Sequence, residues 1–313
     1  MQERSTQHDS LPTTVTTAPL KNTPTAWEVG KTTGRNGTGH WRYWDRPEDD
    51  IRRAAESWAS DIRGVAKPWL CWNMNDRWCL LQQKLILEQG WTPVVGWDPN
   101  CGAAPSKLAP GAVAIDFNAR LNLQVLYQHI PLEFEFLWAD RLAFWHADML
   151  MPRVKMATAS SWFDRLADGE MAAVKTYGGM RNIFRTKYHR FWEVLGCTTR
   201  GASLDQFQKG CGWWRGYQSH PNSPTDSAER ARRQRFYDDH GCGVYYWSRY
   251  CEGKVKAIPE RWISKEHFSV ITAKNYVRAE SKSKEMDINF DLRKIACRLE
   301  ISDLLEPSPT GLT

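Results

Sequence analysis

The chain has 313 residues, enough to bury a large core, which excludes a peptide-sized module held together by disulfides or metals alone. Its composition, 42% hydrophobic and 25% charged, is that of a globular protein, although 17 tryptophans is a high number. The net charge of +6 is compatible with phosphate-bearing ligands, but it is too small to indicate a dedicated nucleic-acid binder.

The N-terminal sequence carries no signal for export. Residues 1–30 lack the charged start and apolar segment of a signal peptide, and no later window approaches about 18 uninterrupted apolar residues. The eight cysteines form no CxxC pair, which argues against a zinc knuckle and favours reduced thiols. We therefore expect a cytoplasmic protein without a transmembrane segment.

The sequence divides into three regions. Residues 1–45 are rich in Thr, Pro, Gly and Asn and poor in large aliphatic residues, which predicts a disordered tail. Residues 46–280 are predicted to form a single α/β catalytic domain, whose first helix lies at "EDDIRRAAESWASDIRG" because its apolar residues recur at helical spacing. Residues 281–313 are predicted to form a C-terminal helix followed by a tail.

The clearest pattern is a strand, a helix and a strand in about 30 residues. "KPWLCWNM" predicts a buried strand, "NDRWCLLQQKLILEQG" a helix that starts at an Asn/Asp cap and ends at Gly90, and "WTPVVGWD" a second strand. Strands joined in this way are parallel and the connection is right-handed. The pattern therefore predicts an α/β fold with a Rossmann-like, mostly parallel central sheet flanked by helices.

Further elements follow along the chain. "GAVAIDFN" predicts a third strand, "ARLNLQVLYQHIP" a helix and "RLAFWHADML" a fourth strand. After Pro152 we predict a short helix in "ATASSWFDRLADG" and a strand in "EMAAVKTYG", then mixed helix and loop over residues 181–222. The last predicted strands are "GVYYWSRYCEG" and "HFSVIT".

The fourth predicted strand ends on two polar side chains, His146 and Asp148. Residues two apart on an extended backbone point to the same side, so the two groups can converge on one ion. An imidazole and a carboxylate together suit Mn²⁺ or another first-row divalent ion better than Ca²⁺. The structural alternative is that His146 satisfies a core hydrogen bond and Asp148 caps the following turn.

The strand–helix–strand start, the acidic tip of the second strand and the x-x-D element at the end of a central strand resemble the GT-A fold glycosyltransferases. The resemblance covers roughly residues 66–272 and implies that Mn²⁺ or Mg²⁺ holds the diphosphate of a nucleotide-sugar donor. The implied activity is transfer of the sugar to a carbohydrate or other hydroxyl acceptor. The chain departs from the family's motif because His146 stands at its first acidic position, which leaves Asp148 as the motif's only carboxylate.

The resemblance implies a donor site at the ends of the first two strands, formed by Asn73, Arg77 and Asp98. Arg77 would pair with phosphate, Asn73 and Asn75 would read the base or the ribose, and Asp98 would accept hydrogen bonds from either. Local structure offers a competing explanation for this segment, namely helix capping by Asn75 or Asp76 and a turn at "DPN" for Asp98.

The resemblance also implies an acceptor region between Cys197 and Asn222. There Trp213 and Trp214 would stack on a sugar, and Asp205 would act as the catalytic general base. The alternatives are a core role for the tryptophan pair and a helix-start role for Asp205. A late histidine, His267, is implied as the third metal ligand, with His220 and His240 as alternatives.

Two other kinds of function stay open at this point. The basic run "ERARRQR" and the many aromatic residues would suit a nucleic-acid-associated protein or a nuclease-like enzyme, although no nucleic-acid-binding motif is present. The departure at His146 would suit a non-catalytic glycan-binding protein of the same fold.

Overall fold

The protein is described by a computed structural model over residues 48–97, 104–121, 128–176, 190–213, 241–268 and 288–305. The predicted tail over residues 1–45 lies outside these ranges. The described chain contains eight helices, which are α1 Glu48–Asp61, α2 Asp76–Glu88, α3 His129–Glu133, α4 Arg153–Asp164, α5 Arg200–Gln208, α6 Cys242–Tyr250, α7 Glu260–Ile263 and α8 Ile288–Arg298. The described strands are β1 Pro68–Asn73, β2 Thr92–Trp97, β3 Val113–Ala114, β4 Arg141–Trp145, β5 Glu170–Thr176, β6 Arg190–Thr199 and β7 Lys254–Pro259.

All seven described strands belong to one sheet in the order β3-β2-β1-β4-β6-β5-β7. Strand β6 runs antiparallel to both of its neighbours, β4 and β5, and the other pairs are parallel. Helices cover both faces. The prediction of an α/β fold with a mostly parallel sheet is therefore confirmed.

The order of the strands reverses beside β1. From β1 the chain moves to β2 and β3 on one side, then returns to place β4 on the other side of β1. In an open parallel sheet, the connections after two such strands leave in opposite directions, and a crevice opens at their carboxyl ends. Here the carboxyl ends of these two strands are Asn73 of β1 and Trp145 of β4, and His146 and Asp148 follow Trp145 in the chain.

Two apolar cores fill the space between the sheet and its helices. Leu70, Trp72 and Phe144 face the side covered by α1 and α6, while Trp69 and Trp145 face the side covered by α2, α4 and α8. Strand β1 is buried along its whole length, as expected of a central parallel strand.

Most of the surplus tryptophan belongs to these cores. Trp69 packs against Trp91, Trp145 and Phe163 with ring centroids 5.3–5.6 Å apart. A buried tryptophan removes roughly 200 Å² from water, which is worth about 5 kcal/mol before entropy costs. The high tryptophan count is therefore explained largely by stability.

The first half of the domain follows the predicted pattern closely. Strand β1, helix α2 and strand β2 lie within the three predicted segments. Asn75 caps α2 by accepting a hydrogen bond from the backbone N–H of Trp78 at 3.1 Å, and Gly90 has a positive φ of 72° just after the helix. The third strand is shorter than predicted, Val113–Ala114 only, and residues 122–127 of the predicted following helix lie outside the described residues.

The prediction fails in two places of the second half. The segment "GVYYWSRYCEG" lies mostly in helix α6, although its aromatic residues favour a strand. Val244 and Trp247 are one helical turn apart, so a helix brings both into the core. The stretch predicted as mixed helix and loop contains β6, a ten-residue strand buried along nearly all of its length. Strand β6 pairs with β4, about 50 positions earlier in the chain, so no local pattern announces the pairing.

Candidate metal centre

His146 continues the ladder of β4, and a turn follows it. The N–H of His146 donates to the carbonyl oxygen of Val194 on β6 at 3.0 Å, and the N–H of Met149 then donates back to the carbonyl oxygen of His146 at 3.1 Å. The strand therefore ends earlier than predicted. His146 and Asp148 come together through this turn, and the extended alternation expected from the sequence is not what aligns them.

The turn is anchored from helix α2 by Gln82. The side-chain amide of Gln82 donates to the carbonyl oxygen of His146 at 2.8 Å and to that of Met149 at 2.9 Å. Gln82 is fully buried, and both of these hydrogen bonds are made by its NH₂ group. Helix α2 thus fixes the backbone from which both side chains project.

His267 reaches the same place from a distant part of the chain. An isolated antiparallel bridge pairs it with Met149, and the N–H of Phe268 donates to the carbonyl oxygen of Asp148 at 2.9 Å. The preceding residue, Glu266, forms an ion pair with Lys155 of α4 at 2.8 Å. These contacts hold His267 over the turn. Residues 269–272 of the predicted strand "HFSVIT" lie outside the described residues.

The three side chains form one cluster. Oδ1 of Asp148 lies 3.6 Å from Nδ1 of His146 and 3.3 Å from Nε2 of His267. One ligand atom from each residue lies within 4.8 Å of those of the others. The Asp148 side chain is 0% exposed, but the two imidazoles are 24% and 17% exposed, so the cluster is closed beneath and open above.

The charges of the cluster compensate one another in the metal-free protein. Burial lowers the pKa of His146, but the charge of Glu193 and the hydrogen bonds to Asp148 and Glu193 outweigh burial and raise this pKa to about 10. Burial raises the pKa of Asp148, but hydrogen bonds from both histidines outweigh it and hold this pKa well below its ordinary value of 3.8. A cation must displace a proton from His146, so its affinity should rise with pH.

One further residue at the cluster carries no signal in the sequence. Glu193 of β6 is buried, and its Oε1 lies 2.9 Å from Nε2 of His146 and 2.7 Å from Nε2 of His129. Glu193 sits inside an apolar run, and His129 lies in a predicted helix far from the motif. The pairing of β6 with β4 brings Glu193 to His146, and helix α3 brings His129 to Glu193.

Two imidazoles and one carboxylate fit a first-row divalent cation. This donor set suits Mn²⁺, Fe²⁺ or Zn²⁺ better than Ca²⁺, which prefers oxygen ligands alone. Three protein donors leave coordination positions for a substrate, as in catalytic rather than structural metal sites. The residues present therefore fit a first-row divalent cation better than Mg²⁺, and the identity of the cation stays a prediction.

Two of the predicted donor-binding residues, Asn73 and Arg77, lie at the carboxyl edge of the sheet, where His146 and Asp148 also lie. Asn73 ends β1, which pairs in parallel with β4, so it lies at the same carboxyl edge of the sheet as His146 and Asp148. Asn73 is buried, and its side-chain amide donates to Oδ1 of Asp76 at 2.9 Å. Asp98 lies outside the described residues, so a shared pocket with Arg77 stays a prediction.

The carboxylate of Asp76 also holds the chain that follows β2. Its Oδ2 accepts hydrogen bonds from the backbone N–H and the hydroxyl of Ser106. Asp76 is therefore an anchor of the loop at this edge, in addition to standing in the first turn of α2. The capping alternative holds for Asn75.

Asp205, the predicted catalytic base, lies away from the cluster. Helix α5 starts where the N–H of Arg200 meets the carbonyl oxygen of Asp140, at the amino end of β4 and therefore opposite the metal centre. Asp205 on this helix pairs with Lys209 at 2.9 Å and accepts a hydrogen bond from the indole of Trp247 at 2.7 Å. These contacts are structural.

Trp213 belongs to the core. It is 3% exposed and meets the ring of Phe144 edge to face at 5.5 Å. Phe144 is fully buried two residues before His146. Trp214, His220 and His240 lie outside the described residues, so an acceptor role for Trp214 stays a prediction.

A cleft lined by described residues lies at the other end of the sheet. Its volume is about 660 Å³, and Lys67, Arg141 and Arg200 line it together with Asp140 and Asp168. Its cations have partners nearby, such as Asp164 for Lys67 and Asp140 for Arg200.

A buried acid, Glu135, lies near this cleft and gives a pH-dependent prediction. Burial raises the pKa of Glu135 well above 4.5, the charge of Arg200 opposes this, and Asp168 and Asp140 add to it. Within the described residues, neither of its carboxyl oxygens has a hydrogen-bond partner. The folded state therefore keeps a proton that the unfolded state loses, and stability falls as pH rises from about 4.5 through the raised pKa.

Glu135→Gln should remove this loss of stability. We expect urea unfolding to show a variant more stable than the wild type at pH 8, by on the order of 1 kcal/mol, with the difference shrinking near pH 4. Glu56→Gln, at an exposed position of α1, controls for the loss of a surface charge. A Glu135→Gln protein that is less stable at pH 8 would mean that the buried carboxylate has a favourable partner.

Among the described residues, none of the helices has both the length and the apolar character needed to cross a lipid bilayer. Comparison of the chain with protein-family models gave no match, and neither did comparison with curated proteins or with solved structures. The functional assignment therefore rests on the geometry of the metal centre and its place in the sheet.

Proposed function

We propose that the protein transfers a sugar from a nucleotide-sugar donor to a hydroxyl acceptor, with a divalent cation held by His146, Asp148 and His267. One observation carries this proposal: the three donors converge just beyond the carboxyl end of β4, at the point where the strand order reverses. Ligands of open α/β sheets bind in the crevice at such a point.

The charge of the centre suits a diphosphate. With both imidazoles neutral, the three donors carry one negative charge, so a bound divalent cation keeps one positive charge towards the open side. A cation at these donors would act as a Lewis acid and neutralise the charge that develops on a departing nucleoside diphosphate. The protein's own contribution is to hold the donors in place, through Gln82 and the bridge between Met149 and His267.

The same edge of the sheet offers groups for the nucleotide. Asn73 ends β1, the parallel neighbour of β4, and Arg77 follows in the first turn of α2. Amides read bases and ribose hydroxyls, and a guanidinium pairs with phosphate. These positions support a donor that extends from the cation across the end of β1.

Other functions make different predictions about ligands. The donor set of two histidines and one carboxylate also serves Fe²⁺ in oxygenases, so metal selectivity has to be measured. The run "ERARRQR" that favours nucleic acid lies outside the described residues. A non-catalytic glycan-binding protein would bind sugar without a requirement for cation or nucleotide.

A thermal-shift experiment separates these functions. The wild type is heated with Mn²⁺, Mg²⁺, Fe²⁺ or Zn²⁺, alone and with UDP-, GDP- or CMP-sugars. We expect one cation to raise Tm, and one nucleotide class to raise it further only when that cation is present. A ligand at about 100 times its Kd stabilises by about 2.7 kcal/mol, which is several degrees for a domain of this size.

The control is His267→Gln, which removes one donor from a partly exposed position. It should lose the cation-dependent shift for every nucleotide tested. The proposal would be contradicted if single-stranded nucleic acid stabilised the protein and no nucleotide-sugar did. It would also be contradicted if a nucleotide-sugar bound equally well with and without cations. Release of nucleoside diphosphate on incubation with donor and cation then tests the chemistry directly.

A further inference from the structure

Two buried side chains, Glu193 of β6 and His129 of α3, lie behind the metal centre. Oε1 of Glu193 on β6 lies 2.9 Å from Nε2 of His146, and the same oxygen lies 2.7 Å from Nε2 of His129 at the start of α3. Glu193 is 1% exposed and His129 is 7% exposed. The line His129–Glu193–His146 therefore runs from the core to the open face of the cluster.

This line separates the two nitrogens of His146. Nε2 faces Glu193, whereas Nδ1 faces Asp148 at 3.6 Å on the side shared with His267. A carboxylate only accepts hydrogen bonds, so contact with Glu193 keeps a proton on Nε2. The lone pair available to a cation is then the one on Nδ1, which points at the other two donors.

The pairing of β6 with β5 is irregular at Glu193. On the side of β4 the ladder of β6 is regular, with Trp145 opposite Leu195. On the side of β5 the register shifts: Ala173 pairs with Gly196 but the next residue, Val174, pairs with Trp192. Glu193 lies inside this bulge. Bulges re-aim side chains and are frequent beside active sites, and a buried carboxylate is costly unless its contacts are used.

We propose that Glu193 is a positioning residue that fixes the ring and tautomer of His146, so that Nδ1 is the metal-binding atom, and that His129 holds Glu193 in turn. This inference rests on the proposed metal centre. Carboxylates that accept the second ring N–H of a metal-binding histidine orient the ring and raise its basicity, and their loss typically lowers metal affinity by 10–100-fold.

The test compares cation binding by isothermal titration calorimetry in the wild type, Glu193→Gln and Glu135→Gln, with Mn²⁺ and Zn²⁺ as probes. Glutamine keeps the size of Glu193 but can face His146 with its NH₂ group, which permits the wrong tautomer. We expect Glu193→Gln to bind about 10–100-fold more weakly. Glu135→Gln removes another fully buried carboxylate from the opposite end of the sheet and should bind like the wild type.

Ring-nitrogen NMR of the Zn²⁺-loaded wild type gives a readout that a merely structural role would not change. The His146 signals, assigned by their loss in His146→Gln, should show a proton on Nε2 and the metal on Nδ1. Metal on Nε2 would overturn the inference without any Glu193 variant. Glu193→Asp keeps the carboxylate and should recover part of the affinity that Glu193→Gln loses.

The outcomes distinguish this inference from the function on which it rests. A wild type that binds neither Mn²⁺ nor Zn²⁺ overturns the metal centre and the inference together. A wild type that binds, beside a folded Glu193→Gln with the same affinity, overturns only the role of Glu193. Should Glu193→Gln not fold, His129→Asn replaces it, and unchanged affinity together with an unchanged His146 tautomer would overturn the inference.

Discussion

Asp148→Asn is expected to abolish cation binding, with affinity for Mn²⁺ lowered at least about 100-fold. Asp148 is the only carboxylate among the three donors, and its Oδ1 is the atom that lies nearest both imidazoles. Asparagine keeps the shape and removes the charge, and a neutral amide is a weak ligand for a divalent cation beside two neutral imidazoles. Isothermal titration calorimetry of variant and wild type measures the loss.

The same substitution should also cost stability in the metal-free protein. Burial raises the pKa of Asp148, but its pairing with both imidazoles outweighs burial and holds this pKa well below its ordinary value. The contribution of Asp148 to stability is therefore present above about pH 4 and is lost as pH falls through the lowered pKa. Loss of these charge-assisted bonds should lower the free energy of unfolding by about 1–3 kcal/mol at pH 7. A residue in an open cleft would show no such effect.

Asp140→Asn is the matched control, since it makes the same replacement at an exposed position near the amino end of β4. It should leave cation affinity unchanged. If Asp148→Asn does not fold, His267→Gln tests the same centre from a partly exposed position. The metal centre would be wrong if both variants folded and bound Mn²⁺ as tightly as the wild type.

The sequence predicts the first half of the sheet well because its signals are local there. The buried run at β1, the cap at Asn75 and the glycine after α2 each lie within one element or at its end, so periodicity and capping find them. The strand predicted for residues 243–253 is wrong because the signal that decides their structure is not local. Their aromatic residues favour a strand, but the core behind β6 accepts Val244 and Trp247 at helical spacing.

The candidate site could be predicted only in part. The short spacing of His146 and Asp148 marks them in the sequence, but the turn that brings them together depends on Gln82 of α2, a contact 64 positions away. His267 was implied by the family resemblance alone. Glu193 could not be found, because its role depends on a register shift between β5 and β6 that no local pattern encodes.

The last prediction concerns Gly196, which lies beside that register shift. Gly196 pairs with Phe144 of β4 and with Ala173 of β5, and β6 is held between the two strands. A Cβ at this position would lie closer than 3.0 Å to the carbonyl oxygen of Ala172 and to the ring of Phe144. One of these atoms is backbone, so the overlap is not relieved by a side-chain rotation.

Gly196→Ala should therefore lower the free energy of unfolding by about 3 kcal/mol or more, at the upper end of what overpacking costs. Gly169→Ala is the comparison: Gly169 has a φ of 84° and nothing within 4 Å of a built Cβ, so only backbone strain of about 1 kcal/mol applies. Urea unfolding of both variants shows whether the contact outweighs the strain. Adding Phe144→Leu should recover part of the loss, since it relieves the ring but not the carbonyl oxygen.

Displacement of β6 at Gly196 should also weaken cation binding, because the strand carries Glu193 and accepts the hydrogen bond from the N–H of His146. We expect the Kd for Mn²⁺ to rise in Gly196→Ala by about tenfold, while Gly169→Ala binds like the wild type. A Gly196→Ala protein as stable as the wild type would mean that β4, β5 and β6 leave room for a Cβ at position 196. The contact between Glu193 and His146, which depends on the same spacing, would then lose its structural basis.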